Sequence, residues 1–209
     1  AFLGDEGGRI AALAISLALV GLWWGSLRLD AMRESALAAE IGRRGSTRRL
    51  QTIDRRESAL DGFVKYLFRA EDGALVETVR IPLLAPRFSV CVSSQAGCAL
   101  GCSFCETGRL GLTRNLEPWE IVEQVLTIRR ESPERPVTGV VFQGQGEPFQ
   151  NYDHVIRAAE ILRAPWGGQL RGDRITISTV GLLPMIERYT DEGHPYRLIL
   201  SLTSALPAK

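Results

Sequence analysis

The stretch Cys91-Val-Ser-Ser-Gln-Ala-Gly-Cys-Ala-Leu-Gly-Cys-Ser-Phe-Cys-Glu-Thr-Gly108 contains all four cysteines of the 209-residue chain. Its last three cysteines, Cys98, Cys102 and Cys105, have the spacing C-x3-C-x2-C, which lets one loop place three thiolates around a small object. A closed structural zinc site takes four protein ligands, and the two histidines of the chain lie far downstream. Three thiolates on a four-iron cluster leave one iron open to bind a substrate. A structural metal loop and a redox disulfide pair are the alternatives.

Composition places the chain among folded globular proteins and leaves its partners open. Hydrophobic residues make up 45% and charged residues 23% of the sequence, as in ordinary globular domains. The net charge of +1 gives no overall field that would indicate nucleic acid. The four cysteines lie close together and are not spread along the chain as in a disulfide framework, so we expect a reducing, cytoplasmic environment.

Residues 1–56 are predicted to form a small helical accessory domain. Residues 10–27 carry no charge and reach the lower limit for a membrane-spanning helix. We favour a buried helix, because a cytosolic protein has little use for a membrane segment. A second helix is predicted for residues 30–41. The basic run that follows is typical either of a solvated surface or of a face that contacts RNA phosphates. Its arginines are Arg43, Arg44, Arg48, Arg49, Arg55 and Arg56.

Residues 57–90 are predicted to form a β-hairpin and a linker into the core. Two runs of β-forming residues, 62–69 and 74–81, flank the turn sequence Glu71-Asp-Gly73. Glu77 falls in the middle of the second strand, where the period of two allows it simply to face water.

From residue 87 onward, strands and helices alternate strictly. Strands are predicted at 87–92, 137–142, 174–178 and 197–202, and helices from Pro118, after Asn151 as a cap, and near 182–189. This alternation indicates parallel βα units, and four strands are too few to close a barrel. Active groups collect at the carboxyl ends of such strands. The groups at these ends are the cysteine loop, the turn Gly144-Gln-Gly-Glu-Pro148, Ser178 and Ser201.

The cysteine spacing, with Phe104 before the last cysteine, resembles that of the radical S-adenosylmethionine (SAM) superfamily. There a 4Fe-4S cluster binds the amino and carboxylate groups of SAM, and one electron splits the sulfonium to give a 5'-deoxyadenosyl radical. Within it, the sequence is most similar to the RlmN/Cfr family, which methylates carbon 2 or carbon 8 of an adenine in 23S ribosomal RNA and, in some members, transfer RNA. Besides the cysteine loop, the resemblance is carried by Lys65-Tyr-Leu-Phe68, Val76-Glu-Thr-Val-Arg-Ile-Pro82, Arg114-Asn-Leu116, Gly144-Gln-Gly-Glu-Pro148 and Thr176-Ile-Ser-Thr-Val-Gly181.

The resemblance implies a fold, partners and residue roles. The fold is α/β, with a partial, open radical SAM βα barrel at residues 91–209. The partners are RNA and a small electron-donor protein such as a flavodoxin. Cys98, Cys102 and Cys105 correspond to the cluster ligands. Glu77 corresponds to a proton acceptor, and Cys91 to a cysteine that helps to resolve a covalent protein–RNA intermediate. The residues that correspond to SAM contacts are Gly146, Glu147, Ser178, Ser201, Leu202 and Thr203.

Some positions depart from the family pattern. In the family a cysteine near the carboxyl end carries the methyl group, and none follows Cys105 in this sequence. Thr203 stands where the family usually has histidine, and Gln143 and Gln145 stand where it favours methionine. Two other hypotheses therefore stay open: a radical SAM enzyme with another substrate, and a non-catalytic RNA-binding or iron–sulfur protein. The oligomeric state is also open.

Overall fold

Residues 50–202 are described in this computed structural model. They contain one seven-stranded sheet and a two-stranded ribbon at the cysteine loop. The strands are β1 (Gln51–Glu57), β2 (Val64–Arg69), β3 (Leu75–Pro82), β4 (Phe88–Val92), β5 (Gln95–Gly97), β6 (Leu112–Asn115), β7 (Val137–Phe142), β8 (Ile175–Thr179) and β9 (Arg197–Leu200). The helices are α1 (Glu106–Leu110), α2 (Pro118–Glu131), α3 (Tyr152–Arg163) and α4 (Leu183–Glu192).

Four parallel strands form one half of the large sheet, whose strand order is β1-β2-β3-β4-β7-β8-β9. β4, β7, β8 and β9 run parallel to one another. Helix α2 lies between β4 and β7 in the sequence, α3 between β7 and β8, and α4 between β8 and β9. Parallel neighbours need such crossover connections. The predicted α/β class, with an open sheet of four parallel strands, is therefore confirmed.

The other half of the sheet is antiparallel. β2 and β3 form the predicted hairpin, and β3 pairs with β4. The sequence pattern does not predict β1, which falls within the range assigned to a helical domain and pairs with β2. β1 is an edge strand without an apolar period, and its arginines each lie beside an acid. Arg55 contacts Glu57 at 2.9 Å and Arg56 contacts Asp54 at 2.8 Å. Both arginines of the basic run that are described are thus paired on a strand.

The core lies on one face of the sheet. Alternate strand residues contribute to it, among them Tyr66, Val90 and Ile177, all inaccessible to solvent. Helices α2 and α3 supply the residues that pack with them, which include Ile121, Val125, Ile128, Val155 and Leu162. The intervening strand residues point the other way, and Glu77 and Cys91 on that side are only partly buried. We call this side, which carries Lys65, Leu67, Glu77, Val79 and Cys91, the open face.

The ribbon of β5 and β6 closes the base of the cysteine loop. The two strands pair antiparallel, and the N–H of Cys98 donates to the carbonyl of Gly111 at 2.9 Å. Gly97 has a φ of +81°, and a Cβ at this position would lie 1.9 Å from the carbonyl oxygen of Gly111. Only glycine fits there, so the ribbon fixes where the loop of cysteines begins and ends.

Several predictions fall on residues that the structure does not describe. They are the helices at 10–27 and 30–41, the arginines up to Arg49, and the SAM contact of Thr203. Among the helices within residues 50–202, none combines the length and apolar character that crossing a membrane requires.

Candidate functional site

A cleft of about 480 Å³ opens at the carboxyl ends of the parallel strands. It lies between the cysteine loop and the turns that follow β7, β8 and β9. Such strand ends are where open α/β sheets bind their ligands. Seven of the predicted cluster ligands and SAM contacts line this cleft: Cys98, Cys102, Cys105, Gly146, Glu147, Ser178 and Ser201. The structure therefore brings together groups that lie up to 103 residues apart (201 − 98) in the chain.

The three cysteines reach the cleft from a tight loop, and all of them are free thiols. The N–H of Cys105 donates to the carbonyl of Cys102 at 3.0 Å, so the last two cysteines share one turn. Cys98 is 8% exposed. Burial raises the pKa of its thiol, and the two other cysteines and Glu147 add to the increase. The free thiol is thus protonated at neutral pH, and a metal that binds there must displace the proton.

The donor set fits an iron–sulfur cluster, because cysteine thiolates are the usual ligands of four-iron clusters. Within residues 50–202, no three His, Cys, Asp or Glu side chains are grouped so that they could hold one metal ion. A four-iron cluster makes a different demand, since each cysteine binds a different iron. All three thiols line the same cleft, so the residues present fit this group.

The turn Gly144–Pro148 forms another wall of the cleft. Gly146 has a φ of +94°, and a Cβ there would lie 2.5 Å from the Cβ of Gln95. The carbonyl of Gln145 accepts the N–H groups of Ser94 at 2.9 Å and Gln95 at 3.2 Å. The N–H of Glu147 donates to Oε1 of Gln95 at 2.9 Å. These bonds join the turn to the strand that leads into the cysteine loop.

The carboxylate of Glu147 connects two turns. The residue is 2% exposed. Its Oε1 accepts the N–H of Phe149 at 2.9 Å, and its Oε2 accepts the N–H of Val180 at 3.0 Å. The turn after β7 is thereby tied to the turn after β8. The resemblance implies that Glu147 contacts SAM. Such a contact would use the second lone pair of an oxygen that already has a backbone partner.

Two serines close the far side of the cleft. The hydroxyls of Ser178 and Ser201 lie 2.8 Å apart, within hydrogen-bond distance. The N–H of Ser201 donates to the carbonyl of Thr179 at 2.8 Å, which holds the end of β9 against β8. Leu202 is 73% exposed and is not among the residues that line the cleft.

Glu77 and Cys91, which have predicted catalytic roles, lie on the open face and do not line the cleft. Glu77 forms an ion pair with Nζ of Lys65 at 2.6 Å. It lines a separate hollow of about 170 Å³ together with Asp54, Arg56, Lys65 and Leu67. Cys91 lies opposite Val79 in the β3–β4 ladder. Burial raises the pKa of its thiol, and a hydrogen bond with the backbone of Gln143 partly offsets this increase. Gln143 lines the cleft, so Cys91 lies directly behind it.

Two polar residues hold the site together in ways that the sequence does not indicate. Asn151 precedes α3 as predicted, but its side chain makes no capping hydrogen bond. Its Nδ2 donates to the carbonyls of Ser94 and Leu116, both at 2.8 Å. Gln95 is 1% exposed and bonds to Glu147 and Asn115. A buried amide leaves no periodic pattern, and the partners lie 20 to 57 residues away.

Comparison with known proteins shows to which protein superfamily this chain belongs. The sequence profile of the radical SAM superfamily matches residues 92–207, more than half of the chain, which therefore belongs to that superfamily. The crystal structure of a radical SAM methyltransferase from Sphaerobacter thermophilus superposes with a TM-score of 0.71 at 42% identity, over 78% of this chain and 48% of that one.

Nearer relatives carry more specific names. A probable RNA methyltransferase from Anaeromyxobacter sp. (strain Fw109-5) is 58% identical over 165 residues, which are 79% of this chain and 48% of the relative. A dual-specificity RNA methyltransferase RlmN from Syntrophobacter fumaroxidans is 48% identical over 155 residues, 74% of this chain and 45% of the relative. The chain thus spans about half the length of these relatives.

Proposed function

We propose that this chain carries the cluster- and SAM-binding part of a radical SAM enzyme that methylates an adenine in RNA. One observation supports this most directly: a single cleft collects three free cysteines together with the Gly144–Pro148 turn, Ser178 and Ser201. The similarity to RlmN and to probable RNA methyltransferases supports RNA as the substrate. The resemblance implies that the substrate is ribosomal RNA, with transfer RNA as a second substrate in some members of the family. It also implies a cytoplasmic location.

In this proposal Cys98, Cys102 and Cys105 hold a 4Fe-4S cluster. When bound, this group supplies the electron that cleaves SAM, taken from a small electron-donor protein such as a flavodoxin. The glycines of the Gly144–Pro148 turn let the backbone approach SAM closely. Glu147 keeps that turn fixed relative to the next one, through its bonds to Phe149 and Val180. Ser178 and Ser201 offer hydroxyls to the polar groups of SAM.

The roles of Glu77 and Cys91 belong to the methyl transfer itself. Both lie on the open face, where a base removed from its stack would be presented. Glu77 would accept a proton, and its ion pair with Lys65 at 2.6 Å holds the carboxylate in place. Cys91 would help to resolve the covalent protein–RNA intermediate.

One observation favours a second candidate, a radical SAM enzyme with a different substrate. The cleft is lined by the polar side chain of Gln143, where the family favours methionine. Gln145 is also polar, and its Oε1 accepts the N–H of Glu77 at 3.4 Å. Gln143 thus lies in the cleft and Gln145 contacts Glu77, so the two glutamines would select another substrate while SAM cleavage is retained.

The test uses the full-length protein, reconstituted with iron and sulfide without oxygen. After reduction with SAM and ribosomal RNA present, 5'-deoxyadenosine and methyladenosine are quantified in the same tube. Both products support the proposal; 5'-deoxyadenosine alone moves the assignment to the second candidate. Cluster-loaded protein that forms neither product would refute both.

Two variants sharpen this assay. Cys102→Ser should lose both products because the cluster lacks a ligand. Cys91→Ser should keep 5'-deoxyadenosine formation and accumulate a protein–RNA adduct. Ser132→Ala is the matched control, since it removes a buried hydrogen bond to Arg80 without touching the cleft, and it should form both products.

A further inference from the structure

We propose that Gln95 is a positioning residue that fixes the cysteine loop relative to the turn Gly144–Pro148. The inference rests on the function proposed above, because the turn is taken there as a SAM contact. Gln95 lies three residues before Cys98, and its side chain is 1% exposed. It is not among the residues that line the cleft, so it acts on the ligand only through its neighbours.

The side chain of Gln95 belongs to a closed ring of hydrogen bonds. Its Oε1 accepts the N–H of Glu147 at 2.9 Å, and its Nε2 donates to Oδ1 of Asn115 at 2.7 Å. Nδ2 of Asn115 donates to the carbonyl of Gln150 at 3.4 Å. The N–H of Gln150 donates to the carbonyl of Glu147 at 3.0 Å, which completes the ring. The ring joins both strands of the β5–β6 ribbon to the turn after β7.

The ring requires an amide at position 95. One end of the side chain must accept a hydrogen bond from a backbone N–H, and the other end must donate to the oxygen of Asn115. A glutamate of the same size accepts at both ends, so it would face Oδ1 of Asn115 with a second acceptor. If Asn115 turned its amide over, its oxygen would face the carbonyl of Gln150. Two acceptors would still face each other, at Asn115 and Gln150 instead of at residue 95 and Asn115.

Close packing adds to the specificity of this arrangement. A Cβ on Gly146 would lie 2.5 Å from Cβ, 2.7 Å from Cγ and 2.7 Å from Oε1 of Gln95. The glycine of the turn therefore rests directly against the glutamine side chain. A change in the position of Gln95 is transmitted to Gly146 and to the N–H of Glu147. Both of these residues line the cleft together with Cys98.

The test is the affinity for SAM, measured separately from cluster content. Gln95→Glu is prepared as the full-length protein with its cluster reconstituted, and SAM binding is measured by equilibrium dialysis. We expect a dissociation constant about tenfold higher than that of the wild type, because free energy equivalent to one buried hydrogen bond would be needed to restore the positions of Gly146 and Glu147. The iron content should equal that of the wild type. The change in the electron paramagnetic resonance spectrum of the reduced cluster should need about tenfold more SAM, in line with that affinity.

Asn115→Ala is the second variant and guards against a folding failure. Asn115 is exposed, so its replacement leaves the core intact while it opens the ring from the other side. It should weaken SAM binding severalfold with the iron content unchanged. Ser132→Ala serves again as the control for a lost buried hydrogen bond, and it should bind SAM like the wild type.

The outcomes separate this inference from the proposed function. Wild-type protein that binds no SAM would end the proposed function and this inference with it. Wild-type protein that binds SAM, with Gln95→Glu and Asn115→Ala binding equally well, would overturn the inference alone. If Gln95→Glu lost iron to the same extent as it lost SAM binding, the inference would also be overturned, because the residue would then support only the cysteine loop.

Discussion

Arg114 lies at the junction of three elements, and its replacement by methionine should destabilise the fold markedly. Its guanidinium contacts Glu120 of α2 at 2.7 and 2.8 Å. It also contacts Asp72, in the turn between β2 and β3, at 2.5 and 3.0 Å. A further bond, at 3.0 Å, goes to the carbonyl of Asn115. The two acids differ in burial, which separates their contributions.

Glu120 dominates the expected loss. It is 1% exposed, and without Arg114 its carboxylate would keep only the N–H of Glu117, at 2.8 Å. Removing one partner of a buried ion pair costs about 3–5 kcal/mol. The side chain of Asp72 is 48% exposed, and exposed pairs contribute at most about 1 kcal/mol. Because the Arg114 side chain is 31% exposed, Arg114→Met should lower the free energy of unfolding by about 3 kcal/mol, the lower end of that range. Asp72→Asn should lower it by less than about 1 kcal/mol.

Urea unfolding at pH 7, followed by circular dichroism without oxygen, measures both values. The double variant Arg114→Met with Glu120→Met should recover about half of the loss, because replacing both members of a buried pair by apolar residues is often close to neutral. The reasoning fails if Arg114→Met costs less than about 1 kcal/mol, or if Asp72→Asn costs as much as Arg114→Met.

Two further predictions concern glycine and tyrosine positions. Gly146→Ala should cost about 3 kcal/mol or more in urea unfolding, since it combines positive-φ strain with overpacking against Gln95. Gly73→Ala, with a φ of +87° and no atom within 4 Å of its Cβ, should cost only the strain, about 1–2 kcal/mol; equal losses would refute the crowding argument. Burial raises the pKa of Tyr189 from 10.0 to about 12. The neutral phenol, which donates to the carbonyl of Tyr196 at 2.9 Å, therefore stabilises the fold below pH 10, and this contribution is lost as the pH rises to about 12. Tyr189→Phe should lose about 1 kcal/mol at neutral pH and then fall less steeply in an alkaline titration of stability, whereas parallel curves would contradict this account.

The sequence predicts the parallel half of the sheet well, because buried strands are continuous apolar runs that stand out between amphipathic helices. Val137–Phe142 is found with the predicted bounds. The hairpin of β2 and β3 is also found, since its turn residues are diagnostic. β1 escapes prediction because its residues 54–57 are all charged and it needs no apolar face at the edge of the sheet.

For the candidate site, the sequence predicts which segments lie together, but it does not predict the hydrogen bonds that connect them. The cysteines, Gly146, Glu147, Ser178 and Ser201 can be assigned to one edge of the sheet from strand order alone. Hydrogen bonds such as that from Glu147 to Val180 depend on backbone positions 33 residues apart, which no local pattern encodes. The assignment of these residues to the cluster and to SAM stays a prediction.

The ties between the ribbon and its surroundings limit how far the cysteine motif can be transplanted. A peptide of residues 91–116 would contain all four cysteines and both ribbon strands. The carbonyl of Gln145, the N–H of Glu147 and the amide of Asn151 would all be missing. Grafted onto another scaffold, the segment would keep its thiols. It would lose the contacts that set the distance between these thiols and the turn Gly144–Pro148. The motif is a component of this sheet and not an independent module.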